Sequence, residues 1–376
     1  RFATTGGGNT AIGSLAMRLN STGTGNTALG YVALENNTNS NNTALGYRSL
    51  RANTSGNYNV AAGVDSLLSN TTGNQNTAMG YQALNSNTTG ICNSAFSAAL
   101  YSNTTGSNNT GIGYAALNFN TTGGNNTSIG FYSLFNNTAS NNTAVGYQAG
   151  YSNTSGTEIT AIGYLALRNS TGYSNTSVGY VSLYNNTTGS SNTSLGAAAL
   201  YSNSTGNNNT AIGYGALNSV NAGDNTAVGF QAGYSNLVGS GGDGITAIGF
   251  RALFANTTGG STTAVGYNSL GSNTGGNNNT AVGHQSLGGN LTGSGNTAMG
   301  RNTATDNTTG NNNQVFGAYS RTGNFSDVSM IGYNDLATGN NQMRFGSATS
   351  NNGAVTIGAN VSSCLLYTSD AADEGL

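Results

Sequence analysis

The sequence predicts an all-β fold, a β-solenoid or β-roll wound in coils of about 17 residues. Three observations lead there. A unit reading Asn-Thr-Ala-aliphatic-Gly-Tyr-x-Ala-Leu-x-x-Asn-Thr-Thr-Gly-x-x recurs through most of the 376 residues. The composition, with 59 Gly and 62 Asn but no Pro or Trp, disfavours helix, because Gly, Asn and Thr are poor helix formers. No stretch keeps the i, i+3, i+4 apolar spacing of an amphipathic helix.

The first element of the unit is a short strand. Thr27 to Tyr31 alternates, placing Thr27, Leu29 and Tyr31 on one face and the small Ala28 and Gly30 on the other. The aliphatic residue before the core Gly and the Leu four after it are five apart. Both can face inward only if the chain bends between them, and that bend is expected. Asn-Thr-Thr-Gly follows as turn chemistry, since Asn and Gly tolerate left-handed backbone. Each unit should therefore be two short strands and two bends.

Leu34, Leu50, Leu67 and Leu84 show the period best, and steps of 16, 17 and 17 make a superperiod of 50 residues. Residues 9–300 should form about eighteen coils, with Leu34, Leu67, Leu84, Leu117, Leu134, Leu167 and Leu200 in one buried row. About 20 coils at ~4.8 Å give a rod of roughly 95 Å. Gly150 and Gly233, 83 residues apart, replace the Leu in a variant unit, Gln-Ala-Gly-Tyr-Ser-Asn, and the copy at Asn93–Ser97 has lost its Gly and one residue.

Beyond Gly300 the marker survives as Phe316-Gly317, Ile331-Gly332, Phe345-Gly346 and Ile357-Gly358 at shortening steps. Arg321, Asp327, Asp335 and Arg344 collect there. The chain thus divides into a regular array (1–300), a decaying, narrowing segment (301–363) and a tail (364–376). The tail shares nothing with the repeat and resembles the translation of a transposase-type sequencing adapter, so it is expected to be non-native.

Charged residues are 5% of the chain, too sparse for most acid–base or phosphoryl chemistry. Nine Arg, no Lys and eleven acids, three of them in the tail, offer no clustered basic face for nucleic acid. No apolar run reaches the ~18 residues of a membrane span. Residue 1 is Arg, and no leader follows it, so any targeting segment is expected outside this sequence. Cys92 and Cys364 are too few for a disulfide scaffold. No cofactor or metal is expected.

The candidate residues each have a plain alternative. His284 takes the slot that Tyr or Phe fills in other units, which reads as a substituted surface aromatic. A glycosidase needs two carboxyl groups ~5–9.5 Å apart, and Asp224 with Asp243 is the best pair. Stacking brings unrelated acids together anyway, so no catalytic residue is expected. Calcium-binding rolls need Asp in the turns, where this chain has Asn and Thr. An ice-binding array would want Thr-x-Thr, present only at Thr22-Gly-Thr24 and Thr303-Ala-Thr305. Asn-x-Ser/Thr triplets read as turn residues.

The aromatic row after the core Gly (Tyr31, Tyr47, Tyr81, Tyr114, Phe131, Tyr147 and onward) is either a stacking ladder for glycans or packing between coils or chains. Its regular occupation favours packing. Recognition should sit where regularity breaks, at the insertion that runs from Asn236 to Asp243. Leu237, Val238, Ser240 and Asp243 are the candidate binding residues. The competing reading is a neutral insertion.

Asn-Thr-Ala-Ile-Gly-Tyr followed by Asn-Thr-Thr-Gly, some eighteen times in register over roughly residues 9–361, resembles the repeat arrays of phage-type tail-fibre proteins. It is similar, more distantly, to the heads of YadA-type trimeric autotransporter adhesins, whose units are shorter and usually have Val where this chain has Thr. The resemblance implies a left-handed β-roll, a homotrimer of chains side by side, a host surface glycan or receptor as partner, and a place on a virion tail fibre or cell surface. Asn341–Gly346 through Gly353–Gly358 look like the exit region of such fibres, where an endosialidase-type chaperone domain often follows. No such domain is recognisable here, which leaves self-cleavage unsupported. A non-enzymatic structural and adhesive fibre is the expected function. A bacterial adhesin head, an ice-binding solenoid and a glycan-cleaving tailspike are the alternatives.

Overall fold

Each unit contributes one three-residue strand, and the strands stack into one parallel sheet. The computed structural model describes residues 6–235 and 243–346. Among the described residues there are 21 strands, from β1 (Thr10–Ile12) to β21 (Met343–Phe345). Every strand pairs with its neighbours in sequence, residue for residue. Thr10, Ala11 and Ile12 lie beside Thr27, Ala28 and Leu29, and the same register continues to Ser329 beside Met343. The protein is a parallel β-solenoid with coils of about 17 residues.

The expected second strand is absent. The rest of each coil follows a turning path, still hydrogen-bonded to the coils on either side. In one coil the Thr43 N–H donates to the Asn59 carbonyl at 2.8 Å, Gly46 to Leu29 at 2.8 Å, Leu50 to Ser66 at 2.9 Å and Thr54 to Thr71 at 3.0 Å. The reason is backbone sign. After Gly46 (φ 130°), Arg48 (φ 55°) and Leu50 (φ 50°) are both left-handed. Such residues cost about 1–3 kcal/mol each and persist because the neighbouring coils repeat the same path. Where the core Gly is missing, Ser97 takes its place with φ 68°, and Ser94–Phe96 stays in register.

The Leu row is fully buried as expected. The aliphatic residue before the core Gly is not, and the inward bend expected for it is overturned. Leu29 is 48% exposed, whereas Ala28, Ala44 and Ala61 at the strand centres are wholly buried. The interior explains this. The Leu side chain packs across the strand centre so closely that a Cβ on Gly111 would lie 3.0 Å from the Ala99 Cβ and 3.3 Å from the Leu100 Cγ. Throughout the regular array only Ala, Gly or Ser stands there, and the larger aliphatic side chain stays outside.

The second half of the interior is amide. Asn53 Nδ2 donates to Asn37 Oδ1 at 2.7 Å and to the Gly56 carbonyl at 2.9 Å. Asn70 and Asn87 repeat the first bond at 2.9 and 2.8 Å. A second ladder runs through the Asn of Asn-Thr-Ala: the Asn59 N–H donates to Asn42 Oδ1 at 3.0 Å, and Asn59 Nδ2 to the Gly73 carbonyl at 2.8 Å. These side chains are fully buried. They satisfy one another as amide ladders do in stacked β-structures, so the residues read as turns are core.

The variant units contain a paired exchange. Gly150 stands where Leu is usual, and Ile159 stands where the second Asn ladder should continue. A Cβ at Gly150 would lie 3.0 Å from Leu134 Cδ2 and 3.5 Å from Ile159 Cδ1, so Ile159 fills the space the missing Leu would take. Gly233 and Ile245 repeat the arrangement beside Leu217. Gly150→Leu alone should overpack, costing about 1–3 kcal/mol. Ile159→Asn alone should leave a cavity, costing about 2–4 kcal/mol. The double change restores the regular unit and should recover most of both losses in a denaturant-melt double-mutant cycle. Additive losses would refute the pairing.

Beyond the regular array the sheet continues through β19 (Gln314–Phe316), β20 (Ser329–Ile331) and β21. Val315 and Met330 replace Ala at the buried strand centre. The marker at Ile357 and the tail at 364–376 lie outside the described residues.

Candidate functional site

The outward face of the sheet has three ranks. Thr27, Leu29 and Tyr31 define them, and register repeats each rank coil after coil. The aliphatic rank runs the length of the sheet; Ile12, Leu29, Ile162, Leu195 and Ile331 are each more than a third exposed, while Val145, Val178, Ile212 and Val282 are half-buried.

In the aromatic rank the rings stack on one another. Tyr114, Phe131, Tyr147, Tyr164 and Tyr180 form one run with centroids 5.2–5.7 Å apart. Tyr214, Phe230, Phe250, Tyr267 and His284 form a second, with spacings of 4.9–5.3 Å. Neighbouring planes lie within 23° of parallel. Each interior ring has its faces against its neighbours and its edge toward solvent, so a sugar cannot lie along ring faces within a run. His284 is a member of the stack, 4.9 Å from Tyr267, with Nδ1 3.2 Å from Asn302 Oδ1.

The residue after the core Leu and the residue two after the core Gly build another surface, which sequence reasoning missed. It is not uniform. Near its start Glu35 lies between Arg18 and Arg51, each at 2.9 Å. Arg48 grips Asp65 with both Nε and Nη2, at 2.7 and 2.8 Å. That bond to Asp65 outweighs burial and holds the guanidinium above its ordinary pKa.

Midway the surface turns aromatic. Phe135 stacks on Tyr151 at 5.2 Å, Arg168 lies 5.3 Å from Tyr151 and 5.9 Å from Tyr184, and Tyr184 stacks on Tyr201 at 5.5 Å. Guanidinium over ring faces continues the stack by cation–π attraction. The available signal was the residue after the Leu position, which switches from charge at Glu35 and Arg51 to Tyr or Phe at Tyr101, Phe135 and, after Gly150, Tyr151.

Of the candidate binding residues, Leu237, Val238 and Ser240 lie outside the described residues. Asp243 is exposed, and its Oδ1 accepts the Gly223 N–H at 3.0 Å. Asn277 does the same for Gly260 at 2.8 Å, so Asp243 performs an ordinary coil-to-coil contact. Asp224 Oδ1 accepts Asn208 Nδ2 at 3.0 Å. Each acid thus bonds to the coil before its own. Among the described residues no group of three His, Cys, Asp or Glu is close enough to hold a metal ion. Cys92 is exposed, with Sγ 3.3 Å from Gln75 Oε1.

The Thr-x-Thr pairs are not on strands. Thr22 Oγ1 donates to the Thr38 carbonyl, and buried Thr303 donates to the Gly317 carbonyl. Burial works to raise the Asp335 carboxyl, but Arg344 and the Leu336 N–H outweigh it and leave the group below its ordinary value. No helix of the described residues is long and apolar enough to cross a membrane. No protein-family model matches the chain, and no curated protein matches it.

Proposed function

We propose that this protein is a non-enzymatic structural and adhesive fibre segment, of the tail-fibre kind, that works as a homotrimer and presents its outer surface to a host glycan or receptor. The observation that supports this reading is the open aliphatic rank. With 21 strands at ~4.8 Å, the outward face is roughly 100 Å long and exposes on the order of 1,000 Å². Monomeric proteins seldom leave so large an apolar strip uncovered. The aromatic rings cover one another, whereas nothing among the described residues covers Leu29, Ile162 or Ile331. The aliphatic rank is therefore the seam between chains, and the aromatic rank is its rim.

The repeat supports a shaft, since every coil adds length without adding chemistry. The sequence's resemblance to fibre arrays points to the same role and to an extracellular or virion location.

The test is sedimentation of the full chain beside a variant with Ile129, Ile162 and Leu195 changed to Asn. The wild type should run as a trimer, and the variant should dissociate while keeping its β-type circular dichroism. A wild type that sediments as a monomer at micromolar concentration would overturn the reading.

The rank of outward strand Thr gives an ice-binding role one supporting observation. Thermal hysteresis of the same sample would favour it, and its absence would leave the fibre reading.

A further inference from the structure

The aromatic rank is continuous from Tyr114 to His284 except at one coil, where Ala197 stands in the ring position. On one side the run ends at Tyr180, which stacks on Tyr164 at 5.4 Å and 8°. On the other side it resumes at Tyr214, which stacks on Phe230 at 5.3 Å and 12°. Register is unbroken across the gap, with Val178 beside Leu195 and Leu195 beside Ile212. The two ring faces that border Ala197 are therefore one missing ring apart. Exposure agrees: Tyr180 and Tyr214 are 59% and 55% exposed, against 41% and 42% for Tyr147 and Phe250 inside the runs.

We infer that this gap is a binding slot for one planar, uncharged aromatic ring, held between the faces of Tyr180 and Tyr214 over Ala197. A ring placed there would repeat on both sides the near-parallel stacking seen along the rest of the rank.

Its other boundaries are small or apolar, namely Gly196, Ala198 and the half-exposed Leu195. No charged residue occurs between positions 169 and 223, so the slot offers a charged ring no ion-pair partner. The other interruptions of the rank differ: Val64 partly fills its coil, and the coil of Ser97 is one residue short. The slot lies on the rim of the seam proposed above and does not rest on that assembly.

The chain has no Trp, so indole fluorescence reports only an added probe. Titrating the full-length protein against free indole should raise the probe's anisotropy with one saturable site per chain. Ala197→Tyr closes the rank and should weaken binding at least tenfold. Tyr164→Ala opens an equivalent gap between Tyr147 and Tyr180 and should add a second site. Titrating an N-acetylated, amidated Trp tripeptide asks whether a ring on a protein chain enters as readily as a free one. Sedimentation of the same samples reads assembly separately. Indole binding equal in wild type and Ala197→Tyr, no second site in Tyr164→Ala, or no saturable binding by wild type would overturn the inference.

Discussion

Replacing Gly163 by Ala should cost on the order of 3–5 kcal/mol and break the rod into two melting blocks. Gly163 has φ 137°, and an added Cβ would lie 2.3 Å from the Gly179 carbonyl oxygen. That oxygen belongs to the next coil's backbone, so relief requires pulling two coils apart. In a solenoid each coil touches only its neighbours. The damage should therefore stay near residues 146–179 while the flanking coils hold, and hydrogen exchange should locate it there. Gly7→Ala is the control, because nothing lies within 4 Å of a Cβ at that position. It should change stability by no more than about 0.5 kcal/mol. A single unshifted melt for Gly163→Ala would show that the close stacking at the core Gly is not needed.

The second large effect is expected inside the amide ladder. Asn70 Nδ2 donates to Asn53 Oδ1 at 2.9 Å and to the Gly73 carbonyl at 3.0 Å, and its own Oδ1 accepts Asn87 Nδ2 at 2.8 Å. Asn70→Ala would leave the buried Asn53 Oδ1 without its amide donor, take one of two acceptors from Asn87 Nδ2 and open a cavity in the ladder, and should cost about 2–4 kcal/mol. Asn70→Ser should cost less, because the ladder already has a serine at one rung: Ser170 Oγ accepts Asn186 Nδ2 at 2.8 Å. Urea melts of the two variants would rank them. Equal losses would mean that volume, not the hydroxyl acceptor, decides the outcome.

The two experiments bear on what the sequence could say. The period, the strand at Thr27–Leu29 and the buried Leu row were legible because each depends on identity and spacing alone. The side of the strand that faces inward was not. Leu29 is more apolar than Ala28, and hydrophobicity favoured the wrong one. Interior room decided it, and room depends on how far Leu34 reaches across the coil after two left-handed residues that local propensity disfavours.

Asn53 and Asn70 belong to the turn-forming Asn-Thr-Thr-Gly pattern, and their burial stays hidden in the sequence for the same reason. An amide becomes a good core residue only when another amide sits one coil away, a long-range condition that a single unit does not display. The aromatic rank was legible as a row, but its ring orientation follows from the coil rise. The insertion with Leu237, Val238 and Ser240 has no counterpart in other units, so periodicity says nothing about its path.

Strict residue-for-residue register between neighbouring coils has a genetic consequence. Because Thr160 meets Thr143 on one side and Thr176 on the other in the same way, exchange between misaligned repeats deletes or duplicates whole coils and leaves the strand register intact. The gene can thus change the reach of its product in steps of ~4.8 Å without passing through an unfolded intermediate sequence. Rod length becomes a countable inherited trait, free to drift among descendants while the strand register is kept.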